Sequence, residues 1–206
     1  MRRISLASAV AIVAGLSVSI VAGAAGQIPT PDDRGFDPTG TWKGRHGTIV
    51  LARAGDTLSF SYSAVFGETA HICDGIGVAG FVGDATWAYV DGEGTITFTT
   101  KGETVAMATT SGIASFCGAN WPGDTFDRKA WTPASKCVVK APKATFRVVS
   151  TLPPPERKGY VVNGDQVEAI RLVNERSDAW VLARYVGKSR TTAGLLERVA
   201  LECPPK

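Results

Sequence analysis

Short runs of strand-forming residues, separated by turns rich in glycine, recur along this 206-residue chain from Thr41 onwards. Residues 48–51 and 58–62 flank one such turn, and residues 85–90 and 95–98 flank another. Each pair has the pattern of a β-hairpin. Because short strands with regularly spaced turns are typical of antiparallel sandwiches and small barrels, the sequence predicts an all-β fold.

The second half of the chain repeats this pattern after a proline-containing stretch. Strands are expected around residues 144–149, 159–162, 167–170 and 179–185, with a turn at 163–165. We therefore predict two small antiparallel β domains, the first a β-barrel or sandwich and the second a small barrel. The expected segments are a signal peptide at 1–24, a flexible lead-in at 25–39, and domains at 40–131 and 132–206.

The amino terminus has the pattern of an export signal. Arg2 and Arg3 precede an apolar run that extends to Val21 and is followed by small residues. This order is typical of a secretory signal peptide, so we expect residues 1–24 to be removed, with cleavage after Ala25 as the near alternative. A membrane anchor is disfavoured because serine and glycine interrupt the run and no stop-transfer charges follow it. The expected location is periplasmic or secreted, without membrane insertion after cleavage.

The chain contains four cysteines, at positions 73, 117, 137 and 203. An even number of cysteines in an exported chain predicts disulfides. The pairs Cys73–Cys117 and Cys137–Cys203 are favoured because each then stays within one predicted domain. A metal site that uses His71 and Cys73 is the alternative, but zinc sites need further clustered ligands, and an oxidising compartment disfavours free thiolates. We expect no metal and no other cofactor.

The charge of the chain is unevenly distributed. The formal net charge is +3, but two of the arginines lie in the predicted signal peptide, and the remaining chain is nearly neutral. Residues 27–131 contain seven basic and twelve acidic residues, whereas residues 132–206 contain thirteen basic and seven acidic ones. Near-neutrality argues against a nucleic-acid partner. The split has two explanations: the domains dock on each other, or each meets a partner of opposite charge.

Motifs for catalysis are weak. Residues 75–80 match G-x-G-x-x-G, but no βαβ unit surrounds them, so we expect a glycine-rich bend where strands approach closely. His46 and His71 are the two histidines, and no G-x-S-x-G motif is present. A Cys117–His71 pair would lose its nucleophile to a disulfide. The chain is therefore expected to be non-catalytic.

Aromatic residues are the better candidates for partner contact. Trp121 lies in a glycine-containing loop after Cys117, while Tyr160, Trp180 and Tyr185 lie in the basic second domain. Core packing explains each of these residues equally well from sequence alone.

The second domain resembles a known family. The order Lys-Gly-Tyr-Val-Val-x-Gly-Asp-x-Val-Glu, then Trp180-Val-Leu-x-x-Tyr185, then Thr192-x-Gly194-x-Leu196 resembles a bacterial SH3-like domain. With the strand at Phe146, the resemblance covers most of residues 137–203. The family often has Gly-Trp-Leu where this chain has Gly194-Leu195-Leu196. The resemblance implies an SH3-like barrel of a kind that commonly contacts peptidoglycan or an envelope protein.

The first domain is similar to a small β domain of exported bacterial proteins, some of them associated with LprI-type lysozyme inhibitors. The matching residues are Gly40-Thr-Trp, Leu58-Ser-Phe, Ala70-His71-x-Cys73 with Gly77-x-Ala79, Cys117-Gly118 and Gly123-Asp-Thr-Phe. Other lysozyme inhibitors insert a Ser-Gly-x-x-Tyr loop, whereas residues 111–115 of this chain lack the tyrosine.

These patterns predict an exported, non-catalytic binding protein of the cell envelope. The leading hypothesis is inhibition of, or immunity against, a lysozyme-like peptidoglycan hydrolase, with the Trp121 loop as the expected contact. The alternative is a module that targets peptidoglycan itself through the SH3-like domain.

Overall fold

The computed structural model describes residues 34–91, 94–110, 117, 123–150, 154–173 and 178–205. The predicted signal peptide and Trp121 lie outside these residues. The described parts form antiparallel strands joined by turns and short 3₁₀ segments, and they contain no α-helix. No helix in these ranges is long and apolar enough to cross a membrane. The predicted all-β, antiparallel fold is confirmed, with two sheets.

The first sheet is a nearly closed barrel of nine strands. Each strand from β1 to β7 pairs with the next along the chain, and β9 pairs with β1. Both hairpins expected from sequence are present, with β2 paired to β3 and β5 to β6. The strands are β1 (Gly40–Lys43), β2 (Gly47–Ala54), β3 (Thr57–Phe66), β4 (His71–Gly83), β5 (Thr86–Asp91), β6 (Gly94–Lys101), β7 (Thr104–Thr110), β8 (Asp124–Asp127) and β9 (Trp131–Thr132).

Alternating side chains fill the interior of this barrel. On β3, Leu58, Phe60 and Tyr62 are buried in a core that also contains Trp42 and Phe98. An eight-stranded barrel has an interior just wide enough to be filled by side chains. Aromatic rings fill it here, with the Phe60 and Phe98 ring centroids 4.9 Å apart.

Polar contacts close the barrel where β8 approaches β1. The Asp124 carboxylate accepts hydrogen bonds from the backbone N–H of Arg45, at 3.3 Å, and of His46, at 3.1 Å. These bonds join β8 to the turn between β1 and β2. Next along the chain, the Arg128 guanidinium carbon lies 3.6 Å from the Trp131 ring centroid. The two ends of the sheet are therefore held together by charge-assisted contacts as well as by the short β1–β9 pairing.

The second sheet is a half-barrel of seven strands. Its spatial order is β12-β11-β15-β14-β13-β10-β16, so the last strand pairs with the first strand of the sheet. A 3₁₀ turn at Arg198–Ala200 makes this return possible. The strands are β10 (Ser135–Val139), β11 (Lys143–Arg147), β12 (Glu156–Val162), β13 (Gln166–Arg171), β14 (Trp180–Val186), β15 (Thr191–Glu197) and β16 (Leu201–Glu202).

The two sheets dock on each other through an apolar cluster. Val50 and Ala52 point out of the barrel from β2 and pack with Leu182 and Leu195 of the second sheet, and all four are fully buried. Ile49 and Leu51, between and beside them, point into the barrel. Strand β2 is therefore buried on both faces. Docking of the domains, one of the two explanations of the charge split, occurs in this structure.

Both disulfides expected from the sequence are formed. Cys73 is bonded to Cys117, and Cys137 to Cys203. The first tethers β4 to the segment between β7 and β8, and the second joins β10 to the residue that follows β16. Such bridges stabilise a fold mainly by restricting the unfolded chain.

The glycine-rich segment at 75–80 is not a bend, contrary to the prediction. It lies within the long strand β4 and pairs in regular register with β3. Gly77 serves packing instead, because a Cβ atom there would lie 2.7 Å from the ring of Phe60 and 2.9 Å from that of Tyr89. Gly80 has no atom within 4 Å of its corresponding position.

These two glycines provide a matched test of the barrel core. We expect Gly77→Ala to lower the free energy of unfolding by about 1–3 kcal/mol, because two aromatic rings must move. Gly80→Ala adds the same methyl group to open space and should be neutral or slightly stabilising. Urea unfolding followed by tryptophan fluorescence measures both, and equal stability of the two variants would contradict the packing described.

Candidate functional site

A cleft of about 330 Å³ lies on the second sheet and brings two predicted partner-contact residues together. Tyr160 and Tyr185 both line it, and we call it the tyrosine cleft. Its lining consists of Phe146, Gly159, Tyr160, Tyr185, Gly187, Lys188, Ser189, Arg190 and Thr192.

Strand geometry positions the two tyrosines. Tyr160 lies on β12, at the edge of the sheet, and is more than half exposed. Tyr185 lies near the end of β14, opposite Thr192 of β15, and packs partly against the core of the half-barrel. The turn from Gly187 to Arg190 closes this hairpin with a 3.0 Å hydrogen bond from the Gly187 N–H to the Arg190 carbonyl. The same turn thus forms one side of the cleft.

Positively charged side chains lie beside the rings of the two tyrosines. The Lys143 Nζ lies 4.5 Å from the Tyr160 ring centroid, and Lys188 and Arg190 are exposed side chains of the lining. None of the described residues that line the cleft is acidic. Two ring faces beside ammonium and guanidinium groups can hold a ligand that has both an apolar face and a carboxylate.

The other predicted contact residues do not join this cleft. Trp180 packs against the apolar cluster between the sheets, and the Arg147 guanidinium carbon lies 5.9 Å from its ring centroid. Trp180, Leu182 and Arg184 alternate along β14 on the face that meets the barrel. Trp121 lies outside the described residues.

Within the described part of the chain, no group of three or more histidine, cysteine or acidic side chains could hold a metal ion. His71 interacts with its neighbour, the Nε2 atom lying 2.8 Å from the Thr69 hydroxyl oxygen. Cys117, the partner considered for His71 in catalysis, is held in its disulfide.

A second polar centre lies where the two sheets meet. The Arg184 guanidinium donates to Asp37 Oδ2 at 2.6 Å and to Glu168 Oε2 at 2.6 Å. Asp37 also accepts from the backbone N–H and the hydroxyl of Thr39, at 3.1 and 2.7 Å. Residues 34–39, part of the expected lead-in, thus contact both sheets.

Ionisation at this centre follows from burial and pairing. Burial raises the pKa of Asp37, but the hydrogen bonds from Arg184 and Thr39 and the charge of Arg184 outweigh burial and hold that pKa below its usual value. Burial lowers the pKa of Arg184, and the bonds to Asp37 and Glu168 more than compensate, so its pKa is raised. Both groups remain charged.

Sequence reasoning did not identify this ion pair. Asp37 and Arg184 lie 147 positions apart, and nothing in either local pattern marks them as partners. The alternation of β14 was the available signal, because it places Arg184 on the same face as the apolar Leu182.

Comparison with known proteins found no matching family model, no similar curated protein and no similar solved structure.

The Asp37–Arg184 pair should contribute stability that depends on pH. Because the folded-state pKa of Asp37 is depressed, its contribution is present above the unfolded pKa, about 4, and is lost as pH falls through the folded value. We expect Asp37→Asn to lower the free energy of unfolding at pH 7 by about 1 kcal/mol, a figure limited by the partial exposure of Asp37. Denaturant unfolding at pH 7 and pH 2.5 measures this, and an equal deficit at both values would contradict the assignment.

Proposed function

We propose that the protein is an exported, non-catalytic binding protein of the cell envelope that contacts peptidoglycan through the tyrosine cleft. The observation that carries the proposal is the pairing of Tyr160 and Tyr185 beside Lys188 and Arg190. Peptidoglycan offers sugar rings with apolar faces and peptides with free carboxylates. Aromatic faces and cations suit these two features respectively.

Export is supported by the pattern of the first 24 residues and by the two disulfides. Disulfides persist in oxidising compartments such as the periplasm or the extracellular space. Both compartments would expose the protein to the cell wall.

The resemblance of the second domain's sequence to SH3-like domains also supports the proposal. The pairing of β16 with β10 brings the last strand of the half-barrel beside its first. Leu195, which replaces the tryptophan common in that family, is fully buried between the sheets. In this chain that position serves docking, and the aromatic surface of the cleft comes from the two tyrosines instead.

Binding to purified peptidoglycan sacculi tests the proposal. We expect Tyr160→Ala and Tyr185→Ala each to weaken retention about fivefold to tenfold, from the loss of about 1 kcal/mol of ring contact. Arg190→Gln should weaken it as well, whereas Arg198→Gln removes the same charge from an exposed site outside the cleft and should not. Sedimentation with sacculi measures the bound fraction. Retention unchanged in both tyrosine variants would contradict the proposal.

A second candidate function is restraint of a lysozyme-like hydrolase by the first domain. Several carboxylates of the barrel remain exposed although the sheets are docked, and they would attract a basic enzyme. These residues are Asp56, Glu68, Asp84, Glu103 and Asp127.

A lysozyme assay decides the second candidate. We expect purified protein to slow cell-wall hydrolysis at micromolar concentration, with an association rate that falls as salt is added. Glu68→Lys and Asp84→Lys should weaken inhibition, and Glu197→Lys, an exposed carboxylate of the second sheet, serves as the control. Full hydrolysis in the presence of excess protein would exclude this function.

A further inference from the structure

A second cleft, of about 380 Å³, lies at the junction of the two sheets. We call it the junction cleft. The lead-in, the barrel and the half-barrel all contribute to it. Its lining consists of Arg34, Asp37, Arg53, Gly55, Arg184, Val186 and Thr191, so three guanidinium groups and one carboxylate face it.

Arg53 is the guanidinium with spare donors. Its Nη1 donates to the carbonyl oxygens of Arg34 and Phe36, both at 3.3 Å. Its Nε lies 3.9 Å from Asp37 Oδ1, which is beyond hydrogen-bond distance. From Nε and Nη2, no hydrogen bond reaches any residue that the structure describes. The side chain lines the junction cleft and is 22% exposed, so these two donors are accessible to a ligand.

The other charged side chains that line the junction cleft already have hydrogen-bond partners. Arg184 is bound to Asp37 and Glu168, and Arg34 donates to Asp56 at 2.6 and 2.9 Å. The Asp37 carboxylate is engaged by Arg184 and Thr39. Burial lowers the pKa of Arg53, Asp37 opposes that shift, and the positive charges of Arg184 and Arg34 add to it. An added anion would relieve this repulsion.

We propose that the junction cleft binds a small molecule through an oxyanion group, a carboxylate or a phosphate, held by Nε and Nη2 of Arg53. These two nitrogens form the planar fork that matches two oxygens of such a group. The volume of the cleft is within the range of small-molecule sites. This ligand and place differ from those of the tyrosine cleft.

Binding here would couple the two domains. The lining residues come from both sheets, so an occupied cleft stabilises the docked arrangement and raises the midpoint of thermal unfolding.

Titration of purified protein with inorganic phosphate and with succinate tests the proposal, with chloride of equal ionic strength as the blank. NMR chemical shifts give the dissociation constant, and calorimetry gives the thermal midpoint. We expect saturable binding of at least one anion by the unsubstituted protein. Binding of phosphate alone or of succinate alone supports the site and identifies which oxyanion it prefers.

Variants locate the binding. Arg53→Gln should raise the dissociation constant at least about tenfold. Arg53→Lys, which keeps the charge but loses the planar fork, should raise the dissociation constant by less. Arg171→Gln removes the same charge from an exposed pair with Asp178, outside the cleft, and should bind as the unsubstituted protein does. If Arg53→Gln is unfolded by circular dichroism, Arg53→Lys alone decides.

Two results would overturn the proposal. One is the absence of saturable binding of either anion up to about 10 mM. The other is an affinity in a folded Arg53 variant equal to that of the unsubstituted protein. Neither result bears on sacculus binding, which depends on a separate cleft.

Discussion

Burial of strand β2 on both faces is the constraint on which the rest of the structure depends. One set of its side chains, Ile49 and Leu51, completes the barrel core, while Val50 and Ala52 form the outer apolar surface against which the half-barrel packs. The outward residues Val50 and Ala52 pack on the second sheet and are fully buried by it. In a barrel without the second domain, an exposed apolar face of this kind would promote association with other molecules. The second domain therefore buries an apolar surface of the first domain that would otherwise be exposed to solvent.

Only some of the charges that make the first domain acidic and the second basic take part in the contact between the domains. The Arg184–Asp37 pair joins the sheets at the rim of the apolar contact. Many other charged groups of both domains stay at the surface and remain available to partners. Strand β14 connects these roles, because Arg184 faces the barrel while the next residue, Tyr185, faces the opposite side and lines the tyrosine cleft. The two candidate sites thus lie on opposite faces of one strand.

Local patterns predicted the parts of the fold that local physics determines. The hairpins follow from turn residues between strand-forming runs, and the disulfide pairs follow from keeping each bridge inside one domain. Contacts across the chain were harder to predict. The uninterrupted apolar run at 49–52 is a sign of burial on both faces, but nothing local names the partner surface. Gly77 looked like a bend residue because its real constraint, two approaching aromatic rings, comes from strands distant in sequence.

The candidate site was predicted in part. Tyr160 and Tyr185 were singled out as aromatic residues, yet their convergence depends on how the β14–β15 hairpin meets the sheet edge. Trp180 was singled out on the same grounds and packs between the sheets instead. Parity along β14 distinguishes the two residues, because Trp180 and Tyr185 lie five positions apart in a two-residue repeat and so face opposite sides. Arg53 could not be foreseen, since its surroundings come from three separate segments.

The disulfide between Cys137 and Cys203 has a mechanical consequence. It encloses nearly the whole half-barrel in one covalent loop, because its two cysteines are separated by 66 positions in the sequence. A pulling force applied to the two ends of the chain would pass through the sulfur atoms and bypass the strands within the loop. The half-barrel would keep its shape under tension, whereas the parts of the barrel outside the loop closed by Cys73 and Cys117 would unfold.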